Sequence, residues 1–350
     1  MPSVIASAPA HINLFGDPRG YRGGFTLPTP VSRRTRVVLD RRPGDQVAVY
    51  SRSRAEHACF ALGAERRGDT WLDHVQGCTA ALRGAGFALG GMALTIDSDV
   101  PAGGGLSAAA ALEVAVLRAI RAAFALGLDD LTLALLAQRA AHELVATPVA
   151  MIDQLVASVG TPGHALLIDV RALQWRSAAA PAVDVVVVSA GLERPSAGAI
   201  VRRRDECEAA ARALGVGSLH DLGLDDLPRM AALPPPLDRR ARHVVTENRR
   251  ALAAMRAIER RDVVTLGELV TASHASLRDD LEVSRPTVDA LVDRALGDRD
   301  VLGARMLGGP AGGSVVVLAD RGTGAEVGAR LAATGGDGPP TALVLVEPLL

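Results

Sequence analysis

The sequence predicts an α+β protein in two halves, and three observations carry that expectation. The first third is rich in short β-branched runs broken by turn residues. A glycine cluster then ends one strand and opens a long alanine-rich helix. The second half alternates helical segments with two late strands around another glycine loop. With 350 residues there is chain for about two domains. The break is placed after the loose stretch Ala178–Pro181, giving domains 1–182 and 183–350.

In order, Arg36–Asp40 and Gln46–Tyr50 read as strands flanking Arg41-Arg-Pro-Gly-Asp45, a hairpin-like pattern. Ala93–Asp97 is a further strand that runs into Pro101-Ala-Gly-Gly-Gly-Leu-Ser107 and a helix to about Leu126. A second helix covers about Leu131–Val145, and Met151-Ile-Asp-Gln-Leu155 precedes a strand at His164–Asp169. Asp184–Val188 reads as a buried strand. Helices follow at about Ala197–Leu214, Pro236–Glu259, Val263–Leu277 and Pro286–Ala295. Strands at Ala304–Met306 and Ser314–Leu318, a closing helix and a strand at Ala342–Val346 complete the chain.

All 38 basic residues are arginine. Without lysine there can be no Walker-A lysine on a phosphate, no protein-kinase strand lysine and no Schiff-base chemistry. A formal net charge of −1 gives no basic excess for nucleic acid or an anionic membrane. The three cysteines are odd in number and widely spaced, which fits a reducing compartment better than a disulfide framework. No basic-then-apolar leader opens the chain and no apolar run approaches the ~18 residues of a membrane span. A cytoplasmic protein is therefore expected, as monomer or homodimer, with no nucleic-acid or membrane partner.

The glycine loop is the most informative local feature. Glycines allow tight turning and close approach to a ligand, and the helix start behind them offers unpaired N–H groups and a positive dipole end to phosphate. Ser107 also has the residue type of an N-cap. Gly103, Gly104, Gly105, Leu106 and Ser107 are the candidate phosphate-binding residues, and the alternative is a plain capped turn.

This loop resembles the phosphate-binding motif of GHMP-type small-molecule kinases, and the resemblance extends along nearly the whole chain. Ala8-Pro-Ala-His-Ile-Asn-Leu-Phe-Gly-Asp17 with Gly23-Gly-Phe-Thr-Leu-Pro28 is similar to the amino-terminal signature of galactokinases. Met151–Gln154 with Gly163–Arg171 resembles the region around that family's catalytic aspartate. Arg239–Asn248 and Ser273–Ser284 are similar to galactokinase-specific segments, and Gly303–Gly313 to the third, glycine-rich motif. The resemblance implies a GHMP kinase fold, with an N-terminal half like ribosomal protein S5 domain 2 and a ferredoxin-like α+β C-terminal half. It also implies ATP as phosphoryl donor with Mg²⁺, Asp153 as base or hydroxyl-orienting group, Asn13 at the sugar, and Gly309 in the third motif.

Several positions depart from the family pattern. The arginine expected beside the catalytic aspartate is His11, which could hold a charge or a hydrogen bond. Two serines of the phosphate loop are Ala108 and Ala109, leaving Ser107 as a weak metal candidate. The magnesium glutamate aligns with Ala141. Glu143, two places on and about 200° round a helix, is a weak substitute. Pro310 replaces a glycine and removes an N–H. The sugar-gripping glutamate, histidine, aspartate and tyrosine read Asp17, Pro18, Gly20 and Ile200, with Tyr21 kept and Arg19 new.

Losing polar partners for a polar ligand changes discrimination strongly, and Arg19 could meet an anionic acceptor. The expected activity is therefore phosphorylation of the anomeric hydroxyl of a modified sugar, sugar phosphate or cyclitol phosphate rather than galactose. The alternatives are an ordinary galactokinase, a non-catalytic sugar or nucleotide sensor, or an enzyme repurposing the nucleotide site. His243, His274, Asp279 and Asp280 are read as structural polar groups, and Trp71 and Trp175 as packing.

Overall fold

A computed structural model describes residues 2–16, 23–101, 103–145, 151–192, 197–307, 313–333 and 342–349. The elements are β1 (Val4–Phe15), β2 (Phe25–Arg41), β3 (Gln46–Ser51), β4 (Glu56–Ala61), α1 (Leu72–Gly84), β5 (Met92–Ser98), α2 (Ala108–Ala123), α3 (Asp130–Glu143), α4 (Ile152–Val159), β6 (His164–Asp169) and β7 (Gln174–Ala179). They continue with β8 (Val183–Ser189), α5 (Ala197–Ala213), α6 (Leu227–Ala231), α7 (Leu237–Arg260), α8 (Val263–Asp279), α9 (Pro286–Leu296), β9 (Val301–Leu307), β10 (Ser314–Asp320), α10 (Gly324–Ala333) and β11 (Ala342–Leu349). The α+β expectation holds.

The chain forms two compact units, residues 1–11 with 30–162 and residues 12–29 with 163–350. Where the sequence suggests a single cut after residue 182, the units interleave. Phe25 and Thr26, at the start of β2, pair with Asp169 and Ile168 of β6, which draws residues 12–29 into the second unit. The rest of β2, from Thr35 to Arg41, pairs with β5 in the first unit.

In the first unit the strands lie in the order β4-β3-β5-β2. β2 and β3 are not the hairpin expected from Arg41–Asp45, because β5 sits between them, antiparallel to β2 and parallel to β3. The turn instead receives the approach to β5: Arg42 N–H donates to Gly91 O, and Gly91 N–H to Gly44 O. The local hairpin is β3–β4. Val37, Leu39, Val47, Val49, Leu94 and Ile96 put one sheet face against Val75 and Leu82 of α1 and Val114, Leu117 and Ile120 of α2. Alternation of buried and exposed residues along β2 and β3 marks that one-sided burial. Helix α1 belongs to a stretch the sequence reading assigns to β structure.

In the second unit a four-stranded antiparallel sheet runs β11-β8-β10-β9. β8 is covered on both faces, so Val183–Val188 reads as a continuous buried run rather than an alternation. Val186, Val188, Met306, Val315 and Val317 pack with Val244 of α7, Leu277 of α8, Leu291 of α9 and Val327 of α10. Trp175 on β7 is 39% exposed and does not fill the packing role expected of it.

Candidate active site

Asp153 lies in the first turn of α4, and its side chain is 24% exposed in a unit that buries its apolar neighbours Ile152, Leu155 and Val156. Two side chains converge on one of its oxygens. Nε2 of His11, from β1, stands 3.1 Å from Oδ1, and the Ser107 hydroxyl donates to the same Oδ1 at 3.2 Å. His11 is only 2% exposed, and Nδ1 of its ring has no hydrogen-bond partner among the described residues. A neighbouring backbone bond, His11 N–H to Leu106 O at 3.3 Å, ties the strand to the glycine loop.

The loop follows β5 and turns through positive φ at Gly103 (83°) and Gly105 (81°), which only glycine adopts without cost. Leu106 is buried and Gly104 lies inward, while Gly103 and Gly105 stay exposed. Ser107 occupies the N-cap position of α2 but is left-handed (φ 56°, ψ 41°) and makes no capping bond. The N-cap expectation is therefore corrected: the hydroxyl is committed to Asp153 instead, across 46 positions of sequence. With no side chain capping α2, the first N–H groups of that helix remain donors for an anionic ligand.

For a metal the donor set is sparse. Among the described residues no cluster of three or more histidine, cysteine or acidic side chains exists. Ala141 is buried and offers no ligand atom. Glu143 is half-exposed and pairs with Arg139 one turn back at 2.8 Å. These residues do not build a protein cage for Mg²⁺, whose octahedral preference is often met by water and substrate phosphates.

Asn13 belongs to the second unit. Its amide donates to Gly16 O and accepts from the Thr26 hydroxyl at 2.8 Å, closing the turn that leads out of β1. Gly16 has φ +80°, and a Cβ there would run into the Phe25 carbonyl. Asp17, Pro18, Arg19, Gly20 and Tyr21, and Gly309 and Pro310 of the third motif, lie outside the described residues, as does the side chain of Ile200.

The backbone at Leu14 and Gly16 is held by a buried charge network that the sequence reading misses. Arg305 of β9 donates to Leu14 O (2.5 Å) and pairs with Glu247 of α7 at 3.1 Å. Glu247 accepts from Gly16 N–H at 3.1 Å, from the Ser273 hydroxyl at 2.7 Å and from Arg250 at 2.7 Å. Burial pushes the Glu247 carboxyl up, but the guanidiniums of Arg250 and Arg305 outweigh it and hold the group well below the usual carboxylate range. A signal existed: Arg240, His243 and Glu247 recur at helical spacing and form a polar stripe on the buried face of α7.

Comparison with known proteins agrees with this architecture. Residues 73–161 match the GHMP kinases N terminal domain and residues 254–337 the GHMP kinases C terminal family. The chain is 41% identical over 329 residues to a galactokinase of Roseiflexus sp. (strain RS-1), covering 91% of this chain and 84% of that protein. It is 40% identical over 330 residues to a galactokinase of Mycobacterium bovis, covering 91% and 90%. The crystal structure of Lactococcus lactis galactokinase complexed with galactose superposes with a TM-score of 0.88 at 26% identity, covering 99% of this chain and 93% of that one. A mevalonate kinase structure, at 15% identity and TM-score 0.72, shares the fold. The chain belongs to the GHMP kinase family.

Proposed function

We propose that this chain is an ATP-dependent sugar 1-kinase that transfers the γ-phosphoryl group to the anomeric hydroxyl of galactose. The observation that carries the reading is the Asp153 carboxylate, partly exposed and gripped by Ser107 and His11, beside a glycine loop that opens an uncapped helix. The relatives that align over nine-tenths of the chain are galactokinases, which favours galactose over the modified acceptor that the sequence departures suggest.

In the reaction the sugar O1 attacks the γ-phosphorus as the bond to the β-phosphate oxygen breaks, giving a sugar 1-phosphate and ADP. Asp153 orients the O1 hydroxyl and accepts its proton as the phosphorus–oxygen bond forms. Ser107 and His11 fix the carboxylate through hydrogen bonds, so little reorganisation is left for the transition state. The loop N–H groups and the α2 dipole face the phosphate charge. Any Mg²⁺ would be held chiefly by the ATP phosphates and water rather than by side chains of the described residues, and would supply charge screening of the phosphates.

A second reading keeps the chemistry and changes the acceptor. It rests on Pro18 and Gly20 standing where the family has sugar-binding polar side chains. ADP release over a panel of galactose, other hexoses, sugar phosphates and cyclitols decides between them, with Asp153→Asn as control. Galactose turnover at the head of the panel supports the first reading. Turnover confined to another class supports the second, and binding without any turnover overturns both.

A further inference from the structure

A buried chain of three side chains leads from α1 to the residue beside Asp153. Glu113 of α2 is fully buried. Its Oε1 lies 2.8 Å from Nδ1 of His74 on α1, and its Oε2 accepts from Nε2 of Gln154 at 3.0 Å. His74 keeps 19% of its side chain exposed, whereas Gln154 is 1% exposed. Burying a lone carboxylate is costly unless it is paired and hydrogen-bonded, and His74 and Gln154 provide that compensation. A carboxylate only accepts, so the Gln154 amide must turn its NH₂ to Glu113, which fixes its rotamer.

The position of this chain gives it a consequence. Helix α4 is eight residues long, and no side chain caps its first turn, where Asp153 sits. So short a helix depends on tertiary anchors. Gln154 is the polar anchor next to Asp153, and it binds α4 to α2, the helix that the glycine loop opens. We infer that His74, Glu113 and Gln154 are positioning residues for Asp153, setting the carboxylate against the phosphate loop. This rests on the assignment of Asp153 as the group that orients the acceptor hydroxyl. Small displacements of a reacting group cost large factors in rate, so the chain should act on kcat.

The test compares wild type, Gln154→Leu, His74→Leu and His74→Asn, using ADP release with ATP and galactose and thermal unfolding. Asparagine places an amide N–H where Nδ1 of histidine lies; leucine has none. Gln154→Leu should lower kcat by roughly 10- to 100-fold with KM for ATP within about twofold. His74→Leu should lower it less, and His74→Asn should recover most of that loss. The double variant Gln154→Leu/His74→Leu should fall no further than Gln154→Leu alone, because both act through one chain.

An undiminished kcat in Gln154→Leu, or His74→Asn as impaired as His74→Leu, overturns the inference. If Asp153→Asn retains full turnover, the functional assignment itself falls; if only Asp153→Asn is impaired, the positioning chain falls alone. Hydrogen exchange over residues 151–159 gives a readout independent of turnover. It should accelerate by about tenfold in Gln154→Leu beyond the change over the strand at residues 183–189, which reads any general loss of stability, and exchange that rises equally in both segments or not at all overturns the inference.

Discussion

His11 Nε2 and Asp153 Oδ1 stand 3.1 Å apart, joining strand β1 to the opening turn of α4 inside one compact unit. Because His11 is 2% exposed, its ring cannot be replaced there by water without a cavity. His11→Ala should lower kcat by roughly 10- to 100-fold, the scale seen when an aligned reacting group loses its orientation. His11→Gln, whose Nε2 can occupy the place of the imidazole Nε2, should recover part of the loss. Steady-state ADP release for wild type and the two variants checks this, and a His11→Ala rate equal to wild type would show that the contact is idle.

Ser107 separates backbone from side chain. Its left-handed conformation costs a non-glycine residue about 1–2 kcal/mol, while its hydroxyl is spent on Asp153. Ser107→Gly should therefore raise the unfolding temperature and lower kcat. Ser107→Ala keeps the strain and loses the hydroxyl, so kcat should fall without the gain in stability. Calorimetry beside turnover measurements reads both; a Ser107→Gly variant that is less stable than wild type would contradict the strain argument.

These two contacts show what sequence reasoning reaches. The strand at His164–Asp169 and the helix starting at Pro286 are legible because their burial pattern and their start signals are local. The β2–β3 pairing is not, since the turn chemistry at Pro43-Gly44 is compatible with a strand from elsewhere entering between them, as β5 does. Ser107 has the right residue type for a cap, yet a distant carboxylate takes its hydroxyl. The resemblance of separated motifs located Asp153, His11 and the glycine loop together. Glu247 and Arg305 escaped because each looks like an ordinary surface charge until α7 and β9 bury both.

The Glu247–Arg305 pair is 1% and 4% exposed, so removing Glu247 strands Arg305, and removing Arg305 leaves Glu247 with Arg250 as its remaining guanidinium. Breaking a buried pair costs about 3–5 kcal/mol. Glu247→Ala and Arg305→Leu should each lose stability on that scale, measured by chemical denaturation. Replacing both together should cost less than the sum, because the two single losses share one interaction. Additive losses would mean that the ion pair carries no coupling.

Below neutral pH a different residue should control stability. His243 is fully buried on α7, and Ser276, whose hydroxyl donates to Asp280 Oδ2, can only accept from it, so Nδ1 carries the ring proton of a neutral imidazole. Burial pushes its pKa down from 6.5 to about 4; Glu247 and Asp280 pull it up, while Arg250 and Arg305 add to the depression. The unfolded chain therefore takes up a proton before the folded one does. Stability is retained above pH ~6.5 and falls as pH drops towards 4, by roughly 3 kcal/mol at about 1.4 kcal/mol per unit. Glu247 acts below that window, because its depressed carboxyl contributes stability that is present above its ordinary value of 4.5 and is lost on further acidification. His243→Asn, which keeps a donor towards Ser276, should flatten the upper slope and leave the lower one. Denaturation curves at half-unit intervals from pH 7.5 to 2.5 resolve the two, and an unaltered upper slope in the variant would remove His243 as its source.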